Sequence, residues 1–220
     1  HAPPDSLGAW EYCQRVNARI SHAMGSVKVM RFCIGDMEKA LASEPDSGIA
    51  HALASWTYNA AIINGFYEDD ELASYLARAK LHLKRARELA QDDLLCLTWI
   101  GAAENCAGMQ ERALHTLQSV LARNPASVET WFIVCQVYAY LGRYDEAIAA
   151  IDRACELAPE AGFAPQHGWY RGLALFLAGD YQTAAPLLAR KALETPDFGY
   201  VNILCALCEN AFGNNDAAHK

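Results

Sequence analysis

The sequence predicts an all-α protein, a right-handed superhelical solenoid of stacked antiparallel helix pairs. Two observations lead to this fold class. A set of small, aromatic and proline residues returns about every 34 residues along the chain. The composition is 53% apolar with only 8 prolines among 220 residues, as suits helices with apolar stripes. No linker rich in Ser, Gly or Pro interrupts the pattern, so one elongated domain over residues 1–220 is expected.

The clearest copy of the repeated unit ends in the stretch LGRYDEAIAAIDRACELAP. Gly142 marks a sharp turn between two helices, where one residue must leave the right-handed helical region. Ala147 and Ala154 are seven residues apart on one face of the second helix, where small side chains permit close helix contact. Pro159 ends the unit because proline cannot continue a helix. The glycine and first alanine return at Gly108 and Ala113, at Gly179 and Ala184, and at Gly213 and Ala218.

The repeat register divides the sequence into six helix pairs, the last of them truncated. The first pair is degenerate, and its first helix is expected from Ala9 to Ala23. The second carries an insertion around GFYEDDELASY before a long second helix. The predicted pairs cover residues 9–45, 46–91, 92–125, 126–159, 160–196 and 197–220.

The unit resembles the tetratricopeptide repeat. The residues that carry the resemblance are Trp131, Val134, Cys135, Tyr138, Gly142, Tyr144, Ala147, Ala154 and Pro159. The copy before it departs from the family pattern with Glu104 and Gln110, where aromatic residues are usual. The copy after it departs with Gly168 and with Pro186 inside the second helix. The resemblance is specific for the fold and implies a non-catalytic module that binds a protein or peptide.

The order of the units resembles a more particular group. A degenerate pair, a pair with an insertion, regular repeats and the motif HGWYRGLALFLAGDY follow one another. This order is similar to the repeat regions of bacterial class III adenylate or guanylate cyclases and of some winged-helix transcriptional regulators. The similarity implies a cytoplasmic regulatory module of a bacterial signalling protein. Because the sequence begins at HAPPDS and stops inside a pair, a fragment is expected; a free-standing scaffold or adaptor is the alternative.

Charge and motifs argue against several classes of function. The net charge of −8 disfavours direct nucleic-acid binding, which needs a basic face. The uncharged run SGIAHALASWTYNAAIINGFY contains histidine, asparagines and glycines and makes a poor membrane span. The seven histidines lack paired spacing and no glycine-rich phosphate loop is present, so neither an enzyme nor a cofactor is expected. The acids Glu68 to Glu71 are expected to cap the inserted helix rather than bind a cation.

The eight cysteines are expected to be reduced thiols in a reducing compartment. Cys33, Cys135 and Cys155 occupy positions where the repeat needs a small buried residue. Cys205 and Cys208 have CxxC spacing but lie in an apolar helix, and four converging ligands cannot be assembled for a metal.

The binding site is predicted on the inner surface, formed by first helices of successive pairs. Its expected members are Trp56, Asn59, Thr98, Asn105, Phe132, Gln136, Tyr140, Trp169, Leu173 and Phe176, with Ala102, Ile203 and Asn210 on the same face. The set is rich in aromatic and amide side chains and suits an apolar or amphipathic protein segment, with a small-molecule effector as the alternative. Trp56 and Phe132 fit burial between repeats equally well.

Overall fold

The computed structural model describes residues 8–23, 26–159, 164–196 and 199–211. Within these ranges it contains eleven α-helices and no strand. The helices are α1 (Ala9–Ala23), α2 (Val27–Ser43), α3 (Gly48–Ile63), α4 (Leu72–Leu89), α5 (Leu94–Cys106), α6 (Gln110–Arg123), α7 (Val128–Tyr140), α8 (Tyr144–Leu157), α9 (Ala164–Leu177), α10 (Tyr181–Glu194) and α11 (Gly199–Ala211). The predicted all-α class is confirmed, and α1 has the expected bounds.

The chain forms two compact units, residues 1–116 and residues 117–220, with the boundary inside α6. In the first unit, α3 packs against α1, α2, α4 and α5. Its residues Ala50 to Ala61 are all buried, so α3 is the central helix of this unit. The run expected to make a poor membrane span is therefore a buried core helix. No helix of the described ranges is both long and apolar enough to cross a membrane.

In the second unit, neighbouring helices pack as successive pairs: α7 on α8, α8 on α9, α9 on α10 and α10 on α11, with α7 also contacting α9. Ala147 and Ala154 on α8 and Ala184 on α10 are fully buried, as their small size predicts. A Cβ atom built on Gly172 of α9 would lie 3.0 Å from a methyl carbon of Leu188 on α10. The small residues of the repeat thus lie at close helix contacts.

The turns between paired helices follow one scheme. Gly108, Gly142 and Gly179 have φ of 78°, 74° and 83°, which glycine adopts without strain. The residue after each glycine donates its N–H to a carbonyl five residues back, as Arg143 does to Tyr138 at 2.9 Å. This is the Schellman arrangement for ending a helix. The predicted role is confirmed for these three glycines, whereas Gly213 and Ala218 lie outside the described residues.

The start of α4 differs from the prediction, and α10 shows how the helix accommodates Pro186. Glu71 precedes α4 but its carboxylate does not cap the helix amides. It accepts two hydrogen bonds of 2.9 Å from the guanidinium of Arg31 on α2, which ties the connection 64–71 to the first helix pair. Pro186 lies inside α10, which continues through it from Tyr181 to Glu194 with the proline on its exposed side.

Candidate functional site

In the second unit, α7 carries three of the predicted site residues on one face. Phe132 is 3% exposed, and its ring stacks on that of Tyr170 of α9 with centroids 5.3 Å apart. Gln136 is partly exposed and donates an amide hydrogen bond of 3.4 Å to the hydroxyl of Tyr140. Tyr140 is 40% exposed. The face therefore has a buried aromatic base and an accessible polar and aromatic edge.

On α9, the predicted residues are less accessible. Trp169 is 3% exposed and meets the ring of Tyr200 on α11 edge-on, with centroids 5.6 Å apart. Leu173 is fully buried. Phe176 is partly exposed and contacts Tyr181 of α10 at 5.3 Å between centroids. Trp169 and Leu173 therefore lie in the core of the second unit. Of the three predicted residues on α9, Phe176 is the one that a partner could reach.

The face continues on α11 with two accessible aliphatic side chains. Ile203 is 58% exposed and Leu207 is 47% exposed. They lie 34 positions after Trp169 and Leu173, in the same register. Asn210, predicted on this face, is also exposed. Leu207 was missed by the sequence reasoning, although its offset from Leu173 was sufficient to find it.

In the first unit, the predicted site residues are buried. Trp56 is 9% exposed and packs edge-on against Trp99, with centroids 5.5 Å apart. The Asn59 amide donates to the Ser55 carbonyl at 3.0 Å, and the Thr98 hydroxyl donates to a carbonyl of its own helix. Asn105 is 3% and Ala102 is 4% exposed. The first unit therefore offers less to a ligand than its sequence suggested.

Glu129, in the first turn of α7, lies three residues before Phe132. Its side chain is half-buried, and burial raises the pKa of the carboxyl to about 6. Loss of hydration disfavours the charged form of an acid, which gives the direction of this shift. A carboxyl that changes charge near pH 6 thus lies close to the α7 face.

Three helices each make the same kind of contact to a preceding proline carbonyl, which the sequence did not predict. The Trp131 indole N–H donates to the Pro125 carbonyl at 3.0 Å, and the Asn202 amide donates to the Pro196 carbonyl at 2.8 Å. His51 Nε2 lies 2.9 Å from the Pro45 carbonyl. Each donor follows its proline by six positions, so the first helix of a pair is fastened to the turn that precedes it.

The fold also joins two histidines that seemed unrelated in sequence. His51 Nδ1 of α3 lies 2.9 Å from His82 Nδ1 of α4, and His82 stacks on Tyr58 at 6.0 Å. His51 is 7% exposed. Burial lowers the pKa of both imidazoles, that of His82 to about 4. The two residues are 31 positions apart in different helices, so no local spacing could reveal the pair.

Buried carboxylates occur twice in the first unit, each with two arginines. Asp36 of α2 bonds Arg19 and lies 3.4 Å from Arg15. Glu104 of α5, 1% exposed, accepts hydrogen bonds from Arg87 and, at 2.8 Å, from the hydroxyl of Thr116, and it forms an ion pair with Arg112 at 3.3 Å. These ion pairs join neighbouring helices, so both carboxylates act within the fold.

All eight cysteines are free thiols. Five of them are buried, including Cys33 and Cys135, while Cys155 is only partly so. Burial raises the pKa of the Cys135 thiol to about 12 and that of Cys205 to about 11. Such thiols carry little thiolate at neutral pH and react slowly. No group of three or more metal-binding side chains occurs in the described part of the chain.

Comparison with known proteins supports the repeat assignment. The family model of the tetratricopeptide repeat matches residues 128–161, which contain α7 and α8. Among the curated proteins, none matches this chain. The fold is similar to that of solved repeat proteins, all at low sequence identity.

Three solved structures illustrate the similarity. TTC0263, a thermophilic TPR protein of Thermus thermophilus, has a TM-score of 0.59 at 17% identity, over 91% of this chain and 98% of that one. A tetratricopeptide repeat protein from Parabacteroides merdae ATCC 43184 has a TM-score of 0.53 at 16% identity, over 96% and 76%. The APC/C hetero-tetramer Cut9-Hcn1 has a TM-score of 0.60 at 14% identity, over 96% and 41%. At these identities the likeness concerns the fold.

Proposed function

We propose that the chain is a non-catalytic protein-interaction module, and that the second unit binds an apolar or amphipathic segment of a partner protein. The observation that carries this proposal is the face of α7. It lies in the stretch that matches the repeat family and leaves Gln136 and Tyr140 accessible above buried Phe132. A rigid aromatic side chain supplies contact area at low entropic cost, and an amide can bond a peptide backbone.

The partner's chemistry follows from the accessible side chains of this unit. Phe176, Ile203 and Leu207 are apolar, and Tyr140 adds an aromatic ring with one hydroxyl. Arg171 of α9 is engaged by Asp152 of α8, which reduces its use for an anionic ligand. Apolar side chains of the partner should therefore supply most of the affinity, and salt should change it weakly. A small-molecule effector is the alternative ligand.

The proposed setting is a cytoplasmic regulatory region of a larger bacterial signalling protein. Its basis is the similarity in unit order to repeat regions of class III cyclases and winged-helix regulators. Eight free cysteines fit a reducing compartment. A free-standing adaptor is the alternative, and the hetero-tetramer Cut9-Hcn1 is an example of this fold in an assembly. Sequencing the gene upstream of His1 distinguishes the two, because an in-frame cyclase or winged-helix domain is expected only in the first case.

A displayed library of random 16-residue peptides tests the binding proposal. Enriched peptides should be rich in apolar residues, and Tyr140→Ala should weaken their binding at least about tenfold, consistent with loss of a central aromatic contact. Leu193→Ala on α10 is the matched control, since this apolar side chain is 85% exposed outside the proposed surface. Equal binding by the parent and a folded Tyr140→Ala variant would place the site elsewhere.

A further inference from the structure

The histidine pair of the first unit connects three separate elements. His51 belongs to α3 and His82 to α4, and their Nδ1 atoms are 2.9 Å apart. His51 Nε2 reaches the carbonyl of Pro45 in the turn between α2 and α3 at 2.9 Å. Arg85 of α4 bonds Asp46 of the same turn at 3.0 Å. The turn, α3 and α4 therefore meet at one small polar cluster that runs from the buried His51 to the exposed pair of Asp46 and Arg85.

We propose that His51 and His82 form a proton-sensitive clasp that holds α4 and the turn before α3 in place near neutral pH and releases them on acidification. Both are held against α3, the central helix of the first unit. Opening the clasp would expose the side of α3 that packs against α4, where the Ser55 hydroxyl donates to the Ala79 carbonyl and the Tyr58 ring meets that of Tyr75. The inference is independent of the binding surface proposed for the second unit.

The hydrogen bonds fix the protons of the neutral pair. A carbonyl only accepts, so His51 must carry its proton on Nε2, and its Nδ1 is then an acceptor. His82 therefore donates Nδ1–H to His51, and its own Nε2 holds a lone pair. A first added proton goes to His82 Nε2 and leaves the bond between the rings intact. A second proton must take His51 Nδ1, which removes the acceptor and breaks the bond.

The surroundings oppose both protonation steps. Arg78 and Arg85 of α4 are the cations near the rings, Glu38 of α2 and Asp46 of the turn are the acids, and Tyr58 of α3 covers one face of His82. No charged group of α1 or α5 in the described part of the chain contributes to the pKa shift of either imidazole. Glu38 is shared with Arg78 and the Tyr58 hydroxyl, so it compensates only part of the added charge.

Linkage gives the direction and the pH window of the effect. Burial lowers the pKa of His82 to about 4, against 6.5 for an ordinary imidazole. Between these values the unfolded or opened form binds a proton that the closed form does not. The closed clasp is therefore favoured fully above pH 6.5 and loses stability as the pH falls towards 4. The expected rise of the opening equilibrium between about pH 7.5 and pH 5.0 is roughly tenfold after allowance for partial exposure.

Amide hydrogen exchange of the whole chain at the two pH values tests the proposal. In the parent, protection factors in residues 45–54 and 72–89 should fall roughly tenfold from about pH 7.5 to pH 5.0. The double variant His51→Asn/His82→Phe should show less than about a twofold change. Its asparagine can keep the proline contact, as Asn202 does with Pro196 at 2.8 Å, and its phenylalanine can keep the stack on Tyr58. His115→Gln, at an exposed position of α6, is the matched control and should behave as the parent does.

Three outcomes would overturn the clasp. They are unchanged protection in the parent, a pH response of the folded double variant equal to that of the parent, and a normal titration of His82. The last is measured in the parent by NMR of the imidazole nitrogens, which decides the matter even where the double variant fails to fold. Support requires that His82 titrates below about pH 5 and carries its proton on Nδ1 at neutral pH.

Discussion

His51 in the first unit and Trp131 in the second occupy the same position of the repeat, six residues after a closing proline. Both donate to the proline carbonyl, at 2.9 Å and 3.0 Å. The indole has one nitrogen and no proton to gain, so its contact ends there. The imidazole has a second nitrogen, which extends the contact to His82 and makes it titratable. The residue type at this one position therefore decides whether the hydrogen bond to the proline carbonyl depends on pH.

A second pair of equivalent repeat positions holds a charged side chain in the first unit and an aromatic one in the second. Glu104 and Tyr138 are 34 residues apart. Glu104 is a buried carboxylate between arginines, whereas Tyr138 lies under the guanidinium of Arg143 at 4.5 Å from the ring centroid. Of the buried polar side chains in the described ranges, only Thr130 belongs to the second unit. The others are Asp36, His51, Ser55, Thr57, Asn59, Thr98, Glu104 and Asn105. At this position a buried charge in the first unit corresponds to a contact between a ring and a guanidinium in the second, and buried polar side chains are concentrated in the first unit.

The largest effect is expected from removing the charged centre of the first unit. Glu104→Ala leaves Arg87, only 26% exposed, without its carboxylate and should lower the free energy of unfolding by about 3–5 kcal/mol. Arg112→Ala is the control, because this side chain is 58% exposed and Arg87 keeps its partner. The control should cost less than about 1 kcal/mol. Urea unfolding followed by circular dichroism measures both, and equal losses would contradict a buried charge centre.

Packing rather than charge should dominate in the second unit. Ala147 is fully buried on α8, so Ala147→Leu must displace the facing helix and should cost about 1–3 kcal/mol. Ala149→Leu, two residues on and exposed, places the same side chain in solvent and should change stability little. A thermal melt in which both variants match the parent would show that the small residues of the repeat are not at close contacts.

The repeat register predicted most of the fold because its signals are local. Glycine at the turn, alanines seven apart and a closing proline each act within one pair, and all three recur. The connection 64–71 was predicted as an insertion because the recurring pattern resumes only after it. Its anchor could not be predicted, because Glu71 meets Arg31 only after two helices have packed together.

The candidate site was less predictable, since the register gives a residue's face but not its depth. Phe132 and Tyr140 share one face, yet one is 3% and the other 40% exposed. What separates them is Tyr170 of the next pair, whose ring covers Phe132. In the first unit, the amide of Asn59 was expected to face a ligand and instead bonds Ser55 of its own helix. The repeat register reveals neither the ring from another helix that covers Phe132 nor the carbonyl within α3 that binds Asn59.

Removing the indole donor tests the contrast between the hydrogen bond of Trp131 to Pro125 and that of His51 to Pro45. Trp131→Phe retains an aromatic ring but loses the hydrogen bond of 3.0 Å to Pro125, at a cost of about 1 kcal/mol. Because no titratable group is removed, the loss should be the same at about pH 7.5 and pH 5.0. His51→Asn should instead alter the pH response of the first unit. Urea unfolding at both pH values measures the two variants, and a pH-dependent loss in Trp131→Phe would remove the contrast.

The smallest effect concerns Glu129, whose titration should oppose that of His82. Burial raises the pKa of Glu129 from 4.5 to about 6, so the folded state binds a proton more readily than the unfolded state between these values. The second unit therefore gains stability as the pH falls from above 6 to 4.5, while the first unit loses it.

Glu129→Gln removes the buried charge and should stabilise the chain by about 1 kcal/mol at about pH 7.5, with no gain at about pH 4.5. Both Glu129 and Asp145 are the second residue of their helices, so Asp145→Asn, at an exposed site, measures the accompanying loss of a favourable helix-dipole interaction. Urea unfolding of the two variants at both pH values gives the difference, and a Glu129→Gln variant no more stable than Asp145→Asn near neutral pH would show that the carboxyl is hydrated.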